Sequence, residues 1–446
     1  MDFASFLPQF GSFFTTIIAF IVALSVIVAI HEYGHYIVGR WSGIKAEVFS
    51  LGFGPVLFSR MDRHGTRWQV AALPFGGYVK FFGDADPASG KDTAIDALPE
   101  EVKRQTMHGA PLWARTATVA AGPVFNFILS ILVFTAVMMV QGRTADPLTV
   151  GELRPSPVEG ITLQAGDRPL EIAGMPVPSL EDPAFGVLVN ELPQEPLLDY
   201  LVMRDGQEMA ARGPHLMPAQ VVGVAPQSAA YEAGLQAGDV ITAVDGQPIA
   251  VFDQLKEVVE ASGGRSLPLD VWRAGETRHV TLTPKRVDEP QPEGGFATRW
   301  RIGITGGFAF APAKERMGAA DAVSNAFAQT WRIITGSISG LYHMITGAIS
   351  SCNMSGPLGI AEVSGAMASQ GASDFIWFIA VLSTAVGLLN LFPVPVLDGG
   401  HLVFFAYEAV TGKPPSDAAL RVLMSIGLTL ILGLMVFAVS NDLFCP

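Results

Sequence analysis

His31-Glu32-Tyr33-Gly34-His35 sets two imidazoles four residues apart with a carboxylate next to the first. On a helix this spacing puts both rings on one face, where they can hold a divalent cation while Glu32 handles protons beside it. A hydrolytic metal centre usually has three protein ligands and leaves a position for water, so a third donor must come from elsewhere. The best candidate is Asp398, within Asn390-Leu391-Phe392-Pro393-Val394-Pro395-Val396-Leu397-Asp398-Gly399-Gly400-His401. Pro393 and Pro395 break a helix there and the two glycines let the backbone turn, so Asp398 is presented from irregular chain. Nitrogen and oxygen donors in a hydrolytic setting favour Zn2+ as the cofactor. Asn390 is expected to face the same cavity and hydrogen-bond a substrate backbone or oxyanion, or else only to close its helix. His401 is expected beside the site rather than in it.

The elements that position these groups are membrane spans. Half of the 446 residues are hydrophobic and only 15% are charged, with a mean hydropathy of +0.38. The apolar excess collects in four runs long enough to cross about 30 Å of hydrocarbon: Phe13 to Ile37, Trp113 to Val140, Phe375 to Phe392 and Val422 to Val439. His31 precedes Arg40 by about 14 Å of helical rise, which sets it below the membrane surface. Ionisable groups at that depth are costly unless they face a partner or a cavity, and irregular backbone is tolerated there only under the same condition. Arg40, Lys45, Arg60, Arg63, Arg67, Lys103 and Arg104 fall between the first two runs and Arg115 at the start of the second, which places that segment in the cytoplasm and both termini outside. Both half-sites then lie at the cytoplasmic ends of their spans.

The charge of −13 and pI near 5.1 leave no basic face for nucleic acid. Cys352 and Cys445 are too few for a disulfide framework and leave a metal site to His and carboxylate donors. In the long section after the second run, Leu163-Gln164-Ala165-Gly166-Asp167 recurs as Leu235-Gln236-Ala237-Gly238-Asp239, an offset of 72 that also relates Val150-Gly151 to Val222-Gly223. Each copy mixes short strands, Gly-Asp turns and one helix, and resembles a PDZ domain of the circularly permuted bacterial kind. Such domains bind an extended peptide as an added strand and capture its C-terminus. Val222, Gly223 and Val224 are the expected groove of the second copy. Simple steric exclusion is the alternative role.

The chain thus divides into a first span with the histidine motif (1–40), a cytoplasmic β region and loop (41–112), a second span (113–140), two tandem repeats (141–213 and 214–286), a linker with a helix on the membrane surface (287–372), a third span with the Asp398 element (373–400), and a cytoplasmic loop with the fourth span (401–446). The β region alternates around Gly52, Gly54, Gly76 and Gly77, and an edge near Phe75 to Val79 could pair with an extended substrate, a purely structural hairpin being the equal alternative. Asp92 to Met107 reads as a solvated loop. The fold class is a polytopic α-helical membrane protein, with four spans and a small cytoplasmic β element, carrying two tandem α+β modules outside.

HEYGH, Ala121-Gly122-Pro123-Val124-Phe125-Asn126, Leu73 to Lys80, Ser355 to Ile360 and Asn390 to Gly399 occur in one order along the chain, and in this the sequence resembles the site-2 proteases, in their bacterial sigma-E-regulating branch. The resemblance implies His31, His35 and Asp398 as zinc ligands and Glu32 as the catalytic glutamate. It implies single-span membrane substrates of the anti-sigma-factor type, with leftover signal peptides as further substrates, peptide C-termini at the PDZ pair, and surrounding membrane lipid as partners. Two other classes compete. A metal transporter needs a second site along a route, which four spans with one histidine motif do not offer. An inactive PDZ scaffold has no need of Glu32.

Overall fold

The computed structural model of the protein describes residues 7–84, 99–291 and 295–445. Among these, four helices are long and apolar enough to cross a membrane: Phe13–Trp41, Leu112–Gln141, Ala372–Asn390 and Asp417–Phe444. The first is part of helix Leu7–Trp41. Glycines set their packing. A Cβ on Gly34 would lie 2.5 Å from the Ala121 carbonyl oxygen, and one on Gly387 would lie 3.1 Å from that of Pro123. The first and third spans can therefore approach the second backbone to backbone, as small residues permit in apolar surroundings.

Residues 46–81 form two long antiparallel strands, Ala46–Met61 and Arg67–Phe81. Gly52, Gly54 and Gly76 take positive φ and fold both strands back on themselves. Phe49 consequently pairs with Val79 on one side and Trp68 on the other, and Ser59 pairs with Gln69. Segment Gly77–Phe81 is thus an edge, overlapping the expected Phe75 to Val79 only at Gly77 to Val79. At the hairpin turn, burial would raise the Asp62 carboxyl, but hydrogen bonds from Thr66, Trp68, His64 and Tyr36 outweigh it and hold it at about 2. The Tyr36 bond, 3.0 Å long, ties the sheet to the first span. Of the expected loop at Asp92 to Met107, residues 92–98 lie outside the described ones and Glu100–Lys103 make one helical turn.

A second unit, Met138–Gly318 with His343–Asn353, carries the repeats. Its two four-stranded antiparallel sheets share one strand order. One runs Met175–Pro176, Arg168–Ile172, Leu197–Arg204, Gln207–Pro214; the other runs Gln247–Pro248, Val240–Val244, Leu267–Arg273, Glu276–Leu282. The repeated aspartates do the same job in each. Arg204 donates from two nitrogens to Asp167, both at 2.6 Å, and Arg273 to Asp239 at 2.5 and 2.7 Å. The second nitrogen also reaches the carbonyl of Thr162 in one copy and of Gly234 in the other. At the leading strand the offset drops by one, because Val150 donates to the Asp167 carbonyl and Val221, not Val222, to that of Asp239.

The linker expected from 287 is in part structural. Ile302 and Ile304 complete the apolar core of the second copy, and Ala309 and Phe310 that of the first. Strands Ile304–Thr305, Phe310–Pro312 and Lys314–Glu315 pair in turn with Gly223–Val224, Val150–Leu153 and Arg143–Thr144. This return segment closes both modules, so neither repeat ends where the sequence offset does. Beyond it, helix Ala319–Ile345 is not among the four span candidates and exposes Val323, Phe327, Trp331 and Ile338 at helical spacing. Pro357–Gln370 is a further helix, in the first unit, inside what the sequence reading leaves as linker. Asp442 of the fourth span accepts from the backbone N–H groups of Gly356, Leu358 and Gly359 at its start, a charged cap on orphan donors.

Candidate metal centre and active site

The first span delivers His31, Glu32 and His35 from one turn. Asp398 arrives from the other end of the chain. The third span ends at Asn390, the two prolines carry the chain through a tight loop, and Leu397 caps a new helix, Asp398–Thr411, whose first residue is the aspartate. Gly399 and Gly400 are needed here for space and not for a left-handed turn, since a Cβ on either would overlap the carbonyls of Leu391 or Val394. Arg115 of the second span fixes this helix from its far end, donating to both carboxylate oxygens of Glu408 at 3.1 and 2.6 Å.

These elements bring the three proposed donors together. Nε2 of His31 lies 3.2 Å from Nε2 of His35, and Oδ2 of Asp398 lies 3.1 and 3.5 Å from the two nitrogens. Tetrahedral zinc with ligand bonds near 2.0–2.1 Å separates its donors by about 3.3 Å. The triangle fits that ion. Asp398 Oδ2 is buried and makes no hydrogen bond, which a bound cation explains and an apolar packing role does not. The side chains keep 11, 12 and 17% of their accessible area, so the cluster is enclosed but not sealed. Glu32 stays out of the triangle and accepts from the Val79 backbone N–H on the sheet edge. A Cβ on Gly77 would come within 3.3 Å of Glu32 Cγ. Glu32, the three candidate donors and an open strand edge therefore meet at one place.

The second span contributes residues to which the sequence reading gives no role. Thr118, Gly122, Asn126 and Ser130, spaced by four, form a buried polar or small stripe on one face. The Thr118 carbonyl accepts from His35 Nδ1 at 2.8 Å, and the Asn126 amide lies 3.2 Å from His31 Nδ1. A Cβ on Gly122 would overlap Nε2 of His35 and reach 2.8 Å from Cε1 of His31. Gly122→Ala is therefore expected to weaken metal binding by about 10- to 100-fold, the cost of forcing a methyl group into a packed site. Zinc content of the purified protein after dialysis against a graded chelator series measures this, and a wild-type profile would show that the ring simply steps aside. A polar stripe at spacing four in an apolar helix is the signal that could have marked these positions.

Other expected residues fare differently. Asn390 donates Nδ2 to the Val386 carbonyl one turn back at 3.0 Å, so its amide nitrogen serves the helix end. His401 is outside the donor cluster, with its ring centroid 6.0 Å from that of Phe404. Val222, Gly223 and Val224 do not line an open groove. Val222 donates to the Thr305 carbonyl, and Gly223 and Val224 pair with Thr305 and Ile304. The opening lies one strand over, a cavity of about 340 Å3 between Phe252, Leu255 and Val259 on a helix and Ile302 to Gly306 on the return segment. The correction follows from the return strand, which fills the edge that the sequence leaves vacant.

The model of peptidase family M50 matches residues 19–434. The chain belongs to that family, the site-2 proteases. It is 37% identical over 435 residues, covering 96% of both chains, to the "Putative zinc metalloprotease" of Rhizobium meliloti (strain 1021). It is 36% identical over 437 residues to a protein of the same description in Agrobacterium fabrum, covering 96% of this chain and 95% of that one. It is also 32% identical over 453 aligned positions to the "Regulator of sigma E protease" of Salmonella typhimurium (strain LT2), covering 95% of this chain and 97% of that one. The full-length match to this M50 group and the donor geometry agree, and the chain is a site-2 type metalloprotease.

Proposed function

We propose that this M50 protease cuts the transmembrane segments of single-span proteins, with zinc held by His31, His35 and Asp398 and protons moved by Glu32. The observation that carries the reading is the convergence of three donors, 3.1 to 3.5 Å apart, and a separate carboxylate at the end of an apolar helix. Zinc, when bound there, supplies a Lewis acid that acidifies a water and polarises the scissile carbonyl. Glu32 takes a proton from the attacking water and returns it to the leaving nitrogen as the C–N bond breaks. A helical substrate hides its carbonyls, so it must be extended before attack. The edge Gly77–Phe81 beside Glu32 is where an extended segment can add as a strand. Asn390 would act on substrate through its carbonyl oxygen or the second hydrogen of Nδ2, the first being donated to Val386.

Orientation rests on charge. The Lys and Arg residues between the first two spans favour a cytoplasmic sheet and active site, which puts the repeats and both termini on the periplasmic side of an inner membrane. The repeats read as PDZ-like modules that take peptide C-termini or exclude bulky outer domains, the groove of the second lying at Leu255 and Ile304. The Salmonella relative's name supports a role in sigma-E regulation; the substrate we propose within that role is a trimmed anti-sigma factor in envelope stress signalling, with remnant signal peptides as others.

The test uses full-length protein in detergent with two single-span substrates that differ only in whether a folded outer domain is attached. The trimmed substrate is expected to be cut and the untrimmed one spared. A chelator should stop the reaction and added zinc restore it. Cleavage that persists after complete metal removal would defeat the reading.

A further inference from the structure

Asn126 is fully buried, its Oδ1 makes no hydrogen bond, and its Nδ2 lies 3.2 Å from Nδ1 of His31. This pairing cannot stand if His31 is a metal ligand, a condition that rests on the reading above. His31 turns Nε2 toward the donor triangle, 3.1 Å from Asp398 Oδ2. A neutral imidazole that gives the Nε2 lone pair to a cation carries its proton on Nδ1, and that N–H needs an acceptor. An amide nitrogen is not one. The neighbouring ligand shows the arrangement that works, since His35 Nδ1 lies 2.8 Å from the Thr118 carbonyl oxygen, which can only accept. Amide oxygen and nitrogen are related by a half-turn about the last side-chain bond, and the hydrogen-bond network decides between them.

We infer that Asn126 presents Oδ1, not Nδ2, to His31 Nδ1–H, and that this bond fixes the tautomer which leaves Nε2 free for zinc. Asn126 is a positioning residue, acting through His31. The backbone supports the assignment. Ser130 and Ser383 both donate to the Asn126 carbonyl, at 3.0 Å each, and so hold the residue between the second and third spans. Both histidines are then oriented by acceptors from one face of one helix, one a main-chain carbonyl and the other a side chain. Only the second can be altered by mutation.

The experiment measures zinc affinity of full-length protein in detergent, stripped by chelation and titrated against a chromophoric zinc chelator. Asn126→Leu is expected to bind zinc 10- to 100-fold more weakly than wild type. Asn126→Asp, which keeps an acceptor at the same place, is expected to bind as tightly or more tightly. Asn126→Leu with wild-type affinity would overturn the inference, as would Asn126→Asp falling with Asn126→Leu, since the residue would then matter for shape alone. Should Asn126→Leu fail to fold, Asn126→Asp against wild type decides: equal or tighter binding supports the acceptor role, and tenfold weaker binding refutes it. Wild-type protein that takes up no zinc defeats the metal reading and this inference with it. Wild-type binding with indifferent Asn126 variants defeats only the latter.

Discussion

Glu32→Gln is expected to lower the rate of peptide-bond cleavage by about 10^2- to 10^4-fold, the contribution of a positioned proton-transfer group, while zinc content stays at the wild-type level. The glutamate stands one residue from His31 but outside the donor triangle, so the substitution removes no ligand. Glutamine matches its size and keeps an oxygen for the Val79 N–H. What it lacks is the capacity to take a proton from water and hand it to the departing amine. The decisive measurement follows a tagged single-span substrate and metal content on the same preparation. Unchanged cleavage with full zinc would remove Glu32 from the mechanism, and lost zinc would show that the side chain supports the metal site instead.

The parts of this site that were legible in the sequence are those with a period or a hard steric rule behind them. His31 and His35 declare one helical face by their spacing, and Pro393, Pro395, Gly399 and Gly400 declare a break. Charge in an apolar run draws attention because it is costly there. Thr118 and Ser130 are different: hydroxyls satisfy themselves against their own helix, as both do here through the carbonyls four residues back. Their presence in a span therefore carries little warning. Only the spacing through Gly122 and Asn126 gives the stripe away.

Secondary structure stabilised by distant pairing was hidden for a related reason. The return strands Ile304–Thr305, Phe310–Pro312 and Lys314–Glu315 are two or three residues long, too short for any alternation to show. Their partners lie 80 to 172 residues earlier, as Ile304 with Val224 and Glu315 with Arg143 illustrate. The repeat offset located each module's turns and the Asp167 and Asp239 anchors. It could not show that a single downstream segment completes both cores, and so it left open the edge at Gly223 and Val224 that Ile304 and Thr305 cover. Helix Pro357–Gln370 did carry a local mark, a proline at its first position after glycine.

Asp398→Ala is expected to cost the protein both its metal and its activity, and the two losses can be separated from a loss of fold. Zinc held by four ligands is worth about 10–16 kcal/mol, so one ligand accounts for roughly 2.5–4 kcal/mol, or on the order of 10^2- to 10^3-fold in affinity. Asp398 is the one anionic donor of the three, which places it at the upper end. The metal-free protein separates the fold from the metal. Without a cation, Asp398 Oδ2 still faces the two imidazole nitrogens at 3.1 and 3.5 Å, so its removal takes one member from a buried polar cluster. Thermal melts of the stripped proteins therefore set the baseline, with the variant expected at or below wild type. Added zinc should raise the melting temperature of wild type alone, because ligand that binds only the folded state stabilises it by mass action. A variant that still gains stability from zinc at wild-type concentrations would mean that the two histidines bind without the aspartate, and that the loop after the third span has some other purpose.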